Sequence, residues 1–462
     1  MRRLILSSGL TLIALIAAMA FPSGLASQNQ APAREVTFAR DVAPIVFASC
    51  AYCHRPGEIA PFSLLSYKDA RPWARSIRRT VVTGEMPPWN AHPGFGTFRD
   101  PRRLSEKEIA TIAAWVDGGA KEGDPADTPA PPRFPEGWQI GTPDLVLTMT
   151  EPVKIPAAGT IPYMTVPTDY VFPADTWVQA IEVRPGNRLV VHHAVAFAEL
   201  PNENGAGGGQ SVHLYSPGLE AMVWREGYGK FFPKGTRISF QMHYQAIGKE
   251  TTDQSRIGFK FATAPVHTQV NTTIVANTSL IIPPMVQKYE VVSAFQFPAE
   301  ARIHGLRPHM HLRAQLGTAS LIRPDGQRTV LLHIPHWDTA WQNYYILARP
   351  ERVAKGSVLE YLASYDNSPA NPLNPDPRVP VSWGEQTWDE MHSVYMTWTA
   401  VNDRNRNDDE PIQIPASQLF TAHPAAARQP QAPRRASGGS SRGRPAAGAA
   451  RRAGAARHPA CR

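Results

Sequence analysis

Cysteine is nearly absent, with three in 462 residues. A disulfide framework is therefore excluded as the main support, and a chain of this size must rest on hydrophobic cores. Long apolar runs are lacking as well. After the first 27 residues no stretch is long and apolar enough to span a bilayer as a helix. A nucleotide signature is also missing: the Gly-rich NGAGGGQ at 204–210 opens no helical pattern and reads as a flexible turn.

Acid and lysine are missing from the C-terminal end. From Pro411 onward there are nine arginines, no lysine and no acid, so without that tail the net charge of +8 becomes −1. Without Arg2 and Arg3 it is near −3, and a nucleic-acid partner is not expected: the tail has no interleaved aromatics to stack bases. Its Ala/Arg/Gly/Pro/Ser composition cannot bury a core, so residues 411–462 read as a disordered basic tail.

What is present in quantity is proline, 45 residues, and glycine, 33, which favours many short strands and turns over a helical bundle. Residues 1–27 read as a signal peptide: Met1-Arg2-Arg3, an apolar run from Leu4 to about Phe21, then Gly24-Leu25-Ala26. Cleavage near Ala26 is preferred to an uncleaved anchor, which places the mature chain in the periplasm or otherwise outside the cytoplasm. It would touch a membrane only if the signal were uncleaved.

Cys50-Ala51-Tyr52-Cys53-His54 is CxxCH, the attachment pattern of a c-type haem. Two thiols at this spacing can take the two vinyl groups of one porphyrin, with His54 beneath the iron. Met86 in GEMPPW is the candidate second axial ligand, held on an extended loop by prolines. The competing readings are a CxxC disulfide and half a zinc site. Helical patterns over 38–49 and 67–82, and a capping box at Ser105–Glu108, complete what resembles a single-haem cytochrome c domain over 35–124. A Pro-rich linker over 125–143 should be an extended spacer.

Beyond it the texture is strand-like, including RLVVHHAVAF, TRISFQMHY and HSVYMTWTA. The expected fold class is a small all-α cytochrome c domain followed by two antiparallel β-sandwich domains, over 144–285 and 286–403. Four short motifs stand out: His192-His193; Gln241-Met242-His243-Tyr244; His309-Met310-His311; and Gly384 to Asp389-Glu390-Met391. On a strand, His309 and His311 share one face with Cα atoms about 6.5 to 7 Å apart, within reach of one metal. A thioether such as Met391 as third ligand argues for copper, because soft donors select Cu(I). His192, His193 and His243 would make an all-nitrogen copper site. Regular pleating points neighbouring side chains apart, so shared ligation by His192 and His193 requires a bulge or a strand-end twist. Each histidine taken alone reads as structural; the combination carries the argument.

HH, QxHY, HxH and GxxxxDEM in this order resemble the copper type II, ascorbate-dependent monooxygenases, the family of peptidylglycine α-hydroxylating monooxygenase and dopamine β-monooxygenase. The resemblance covers about residues 144–402 and implies two β-sandwich (jelly-roll) domains with one copper on each. Carried over, His192, His193 and His243 would bind an electron-storing copper. His309, His311 and Met391 would bind the copper that takes O2 and oxidises a substrate C–H bond. Arg307 falls where that family's peptide-hydroxylating enzyme has a carboxylate-gripping arginine, and a surface salt bridge is the alternative for it. Tyr395 falls at an assisting tyrosine, Gln241 also matches, and Ser393 replaces an asparagine. The animal enzymes carry several disulfides, whereas this segment has no cysteine. Fusion to a haem segment departs from them too, and suggests that haem rather than ascorbate delivers electrons.

The reading is an exported, haem-linked dicopper monooxygenase with a small organic substrate, O2 and an external electron donor. The alternatives are a non-catalytic electron-transfer or copper-binding protein of the same fold, and a purely structural exported β-protein.

Overall fold

A computed structural model describes residues 34–134, 137–201, 209–219 and 221–414. The expected signal peptide, most of the Gly-rich turn at 204–210 and nearly all of the expected tail lie outside the described residues.

At the N-terminal end, Phe38–Val42 and Ala43–Ser49 form one helical run whose buried face repeats every four residues as Phe38, Val42 and Val46. Short helical turns Tyr67–Ala70 and Arg71–Trp73 lead into Ala74–Val82. Glu106–Asp117 begins at Ser105, whose hydroxyl accepts from the Glu108 N–H while the Glu108 carboxylate accepts from the Ser105 N–H. Phe38, Val46, Ile77, Ile112 and Trp115 form the core they share.

The expected fold class does not hold. The described chain is predominantly β, with 22 strands against four α-helices, three of them under ten residues. The first segment is not an all-α cytochrome domain. Residues 50–66 and 83–105 are irregular, and the second of these stretches lies against the edge strands of two facing β-sheets rather than on the helices. Phe98 bridges Leu347 in one sheet, the His92 N–H donates to the His333 carbonyl of the other at 2.8 Å, and Ala91 is buried in the core between them. The physical cause is local: Pro56, Pro61, Pro87, Pro88 and Pro93 remove helical donors. Gly57, Gly84 and Gly96 add φ values of 82°, 76° and 71°, closed to a helix.

The first β unit has two facing sheets. One runs in the order Leu145–Thr148, Arg256–Phe261, Thr176–Arg184, Tyr228–Phe232, Thr268–Gln269, with Met222–Val223 off its side. The other is Met164–Val171, Arg237–Tyr244, Val191–Glu199, Gln210–Tyr215. Side chains from both, such as Val178, Ile181, Ala194 and Phe240, meet in one core. The pairing is not uniformly antiparallel, since Thr268–Gln269 runs parallel to Tyr228–Phe232.

The second β unit pairs Asn271–Ala276, Ser393–Ala400, Ala301–His309 and Tyr345–Val353 against Tyr289–Gln296, Val358–Tyr365, Ala314–Ile322 and Arg328–Ile334. The switch between units therefore falls near Val270 rather than near 285, because Asn271–Ala276 pairs along its whole length with Ser393–Ala400.

The stretch expected to be a spacer is docked instead. Phe134 receives the Arg55 guanidinium at 3.8 Å from its ring centre. Gln139 donates to the Tyr52 hydroxyl at 3.0 Å, its N–H meets Glu182, and Ile140 is buried. Beside it, Glu58 takes Arg55 at 2.8 Å and Arg188 at 2.7 Å, fastening the CxxCH loop to the first β unit.

Candidate functional site

His193 on Val191–Glu199 lies directly opposite His243 on Arg237–Tyr244. Val191 pairs with Tyr244 and His193 with His243, so His192 has no partner in the register and the strand bulges there. The extra residue turns the His192 ring to the same side. The three rings converge, with one ligand nitrogen from each within 4.8 Å of the others, and the two Nδ1 atoms of the HH pair are 3.2 Å apart.

His309 ends the strand Ala301–His309, and His311 follows in the turn beyond it; their ring centres are 5.2 Å apart. His309 is oriented by its Nδ1 contact with Gln342 Oε1 at 2.6 Å, which leaves Nε2 as its free donor atom. His311 is held through its backbone: its N–H donates to Glu390 at 2.6 Å, and its carbonyl accepts from Trp337 at 3.1 Å. Glu390 also accepts from the N–H groups of Arg313 at 3.0 Å and Met391 at 3.1 Å, so one buried carboxylate places the DEM segment beside His311. His392 next to it is a structural residue, with both ring nitrogens satisfied by Tyr365 at 3.1 Å and Ser293 at 3.0 Å.

Burial keeps the five rings neutral, the form in which imidazole binds a metal. His243 and His311 are pushed down to about 3 and His309 to about 4, burial being the largest cause. His192 and His193 are lowered for the same reason. His243 Nδ1 and His311 Nε2 are buried with no hydrogen-bond partner. Two such orphaned nitrogens are costly unless something accepts their lone pairs. The His192, His193 and His243 donor set therefore fits a metal ion, and His309 and His311 bring two further imidazoles together nearby.

A cavity of ≈ 840 Å³ runs from the thiols towards these histidines. Cys50, Cys53, His54 and Met86 line one end; His192, Arg307, Tyr344 and Tyr395 line the other. Cys50 and Cys53 are free thiols rather than a disulfide, and burial pushes the Cys50 thiol up to about 12. His54 contacts the Phe62 carbonyl through Nδ1 at 3.2 Å, leaving Nε2 available, and Met86 faces the same space. Thiols, imidazole and thioether around one large void fit a covalently attached porphyrin.

Arg307 and Tyr395 are cross-strand neighbours, with the guanidinium 3.9 Å from the ring centre. Arg307 is buried, so the surface salt bridge weighed for it does not apply. Ser393 donates to the His309 carbonyl at 3.3 Å, and Gln241 lies mid-strand between Thr165 and Val195.

Three residues beyond the four motifs' assigned roles shape the site. Tyr163 stacks on His243 with ring centres 4.3 Å apart and lies 6.1 Å from His311. Gln342 and Glu390 orient the second set. Glu390 was visible within DEM; Gln342, in TAWQNYY, and Tyr163, in IPYMTV, come from distant segments whose proximity no local pattern encodes.

No family model matches the chain, and no curated protein matches it. Solved structures with partial likeness include the major capsid protein P2 of Bacteriophage PM2, at 10% identity over 56% of this chain and 98% of that one, TM-score 0.25. Others are the VP2 subviral particle of infectious bursal disease virus, at 11% identity over 60% and 86% with TM-score 0.16, and allantoicase from Saccharomyces cerevisiae, at 10% over 51% and 76% with TM-score 0.16. Likeness at that level carries no argument about fold or activity.

Proposed function

We propose that the chain is an exported, haem-linked copper monooxygenase that oxidises a C–H bond of a small organic substrate, with electrons entering at the CxxCH segment from an external donor. One observation carries the reading: a single cavity joins Cys50, Cys53, His54 and Met86 to His192, and His192 belongs to the first of two adjoining histidine sets. Haem c held by Cys50, Cys53, His54 and Met86 would pass single electrons, and copper held by His192, His193 and His243 and by His309, His311 and Met391 would activate O2.

The protein's own groups supply the rest. Gln342 holds His309 with its Nε2 facing away from the bond, and Glu390 fixes the turn that carries His311. Arg307, buried with its guanidinium towards the Ser211 hydroxyl at 3.5 Å and backed by the Tyr395 ring, offers a place for an anionic end of the substrate. Tyr344 and Tyr395 line that end of the cavity beside it.

The test is metal analysis combined with stopped-flow mixing of the pre-reduced protein with O2. Haem oxidation that needs copper and is lost in Met391→Ala supports the enzyme. Oxidation indifferent to copper removes the catalytic reading and leaves an electron-transfer protein.

A further inference from the structure

The helical run from Tyr67 to Val82 separates two spaces. Trp73, Ile77, Thr80 and Val81 line the cavity that also holds Cys50, Cys53 and His54. Arg71, Arg75, Arg78 and Val82, spaced three or four residues apart, line a groove on the other face, with Val116 and Asp117 as its far wall. Only the thickness of one helix, about 10 Å, lies between groove and cavity.

The charge in the groove is not neutralised within the chain. Arg78 pairs with Asp117 at 2.9 Å and Arg79 with Glu85 at 2.8 Å, whereas Arg71 and Arg75 are exposed and have no carboxylate partner among the described residues. Residues 67–82 hold five cations against one acid, although the chain without its tail has a net charge of −1. Apolar side chains border the same face, with Trp73 40% exposed and Val82 52%. Arginine beside exposed aromatic and aliphatic groups is the composition of a protein-binding surface rather than of a plain solvated face.

Trp73 also connects this face to the CxxCH segment. Its ring stacks on Phe62 with centres 4.3 Å apart and planes inclined 10°, and the Phe62 ring centre lies 4.6 Å from that of His54. Three rings in contact therefore run from the surface to the expected axial ligand.

We propose that this face is where the external electron donor docks, and that the donor is a small redox protein with an acidic surface, its carboxylates meeting Arg71 and Arg75. One electron leaves the docked donor and reduces the ferric haem to ferrous; no atom is transferred. The inference rests on the haem reading above, and its test separates the two.

The full-length protein carrying its haem is mixed with one of two reductants, and haem reduction is followed optically. One is a reduced plant-type ferredoxin, an acidic one-electron carrier; the other is photoreduced lumiflavin, small and uncharged. The ferredoxin should react faster as salt is lowered. Arg71→Glu combined with Arg75→Glu should slow the ferredoxin about tenfold or more at low salt. The lumiflavin rate should be unchanged in that variant, which also shows haem and fold intact. Lys355→Glu with Arg404→Glu, the same charge change on exposed residues beyond the groove, should leave both rates unchanged. A ferredoxin rate indifferent to salt and to the Arg71 and Arg75 reversal, an equal slowing of both reductants, or an equal slowing in the Lys355 and Arg404 control overturns the docking face while the haem reading stands. A chain that takes up no covalent haem overturns both.

Discussion

The two histidine sets are built differently. In the first, His192, His193 and His243 sit on neighbouring strands and are aimed by backbone register and a bulge. In the second, His309 and His311 stand at a strand end and are aimed by other side chains, Gln342 for the His309 ring and Glu390 for the His311 backbone. A set positioned by a sheet is rigid at no extra cost in polar groups. A set positioned by hydrogen bonds depends on each partner, so its geometry can be undone without touching a ligand. That suits the proposed division of labour, in which the first set stores an electron and the second changes its surroundings during chemistry.

The sharpest way to break this contrast is Glu390→Ala. The carboxylate is fully buried, its pKa raised by burial to about 8, and its loss leaves the N–H groups of His311, Arg313 and Met391 without their acceptor. A loss of about 3 to 5 kcal/mol is expected. Copper should fall from two per chain to one, retained by the first set; chemical denaturation and metal analysis read both. Loss of copper from both sets instead would show that the sheet-borne set also leans on Glu390.

Next in size is Lys230→Met. The first β unit buries this amine as completely as its histidines, but no ligand role awaits it; its one hydrogen bond goes to Thr272 at 2.8 Å. Burial lowers its pKa from 10.5 to about 7. Between those values the unfolded chain binds a proton that the folded one does not, so stability rises with pH through that window and the full penalty applies below it. Replacement by Met should stabilise the protein by about 2 to 4 kcal/mol at pH 7 and by little at pH 10. Urea denaturation at the two pH values measures the difference, and an equal gain at both would mean the amine is not what costs stability. Imidazoles are cheaper to bury, because their ordinary value of 6.5 already leaves them mostly neutral at pH 7.

How far the sequence could be read follows the same division. The first set was legible because register does the aiming: two adjacent histidines with a third on a later strand demand a bulge, and the bulge lies between Val191 and His193. The capping box at Ser105 was legible because it is local. The groups aiming the second set were not, since Gln342 reaches His309 across 33 positions and Gln386 reaches Tyr163 across 223. The all-α expectation failed because it weighted three helical stretches and took the prolines between them only to hold Met86 on a loop, whereas they free residues 83–105 to lie along the second β unit. The spacer expectation failed similarly: proline content predicted extension, but Phe134, Trp138 and Ile140 supply apolar anchors that dock the stretch.

Gln342→Leu isolates orientation from stability. The Leu side chain approximates the volume but cannot hold the His309 Nδ1, so the second copper should bind about 10- to 100-fold more weakly while the first is unaffected. Competitive titration with a chelator reads the two affinities separately. Equal weakening at both would mean that the loop carrying Ala340 and Gln342, rather than the ring contact, governs binding.

The smallest expected effect comes from Tyr163→Phe, and it tests what the aromatic between the sets contributes. The Tyr163 hydroxyl bonds Thr387, whereas the stack on His243 and the Gln386 bonds use the ring and the backbone. Phe keeps the latter two and loses about 1 kcal/mol with the hydrogen bond. Copper stoichiometry should therefore be unchanged. Loss of copper in this variant would assign the hydroxyl, rather than the ring, to holding the sets, because the Gln386 bonds to the Tyr163 backbone are the same in both proteins.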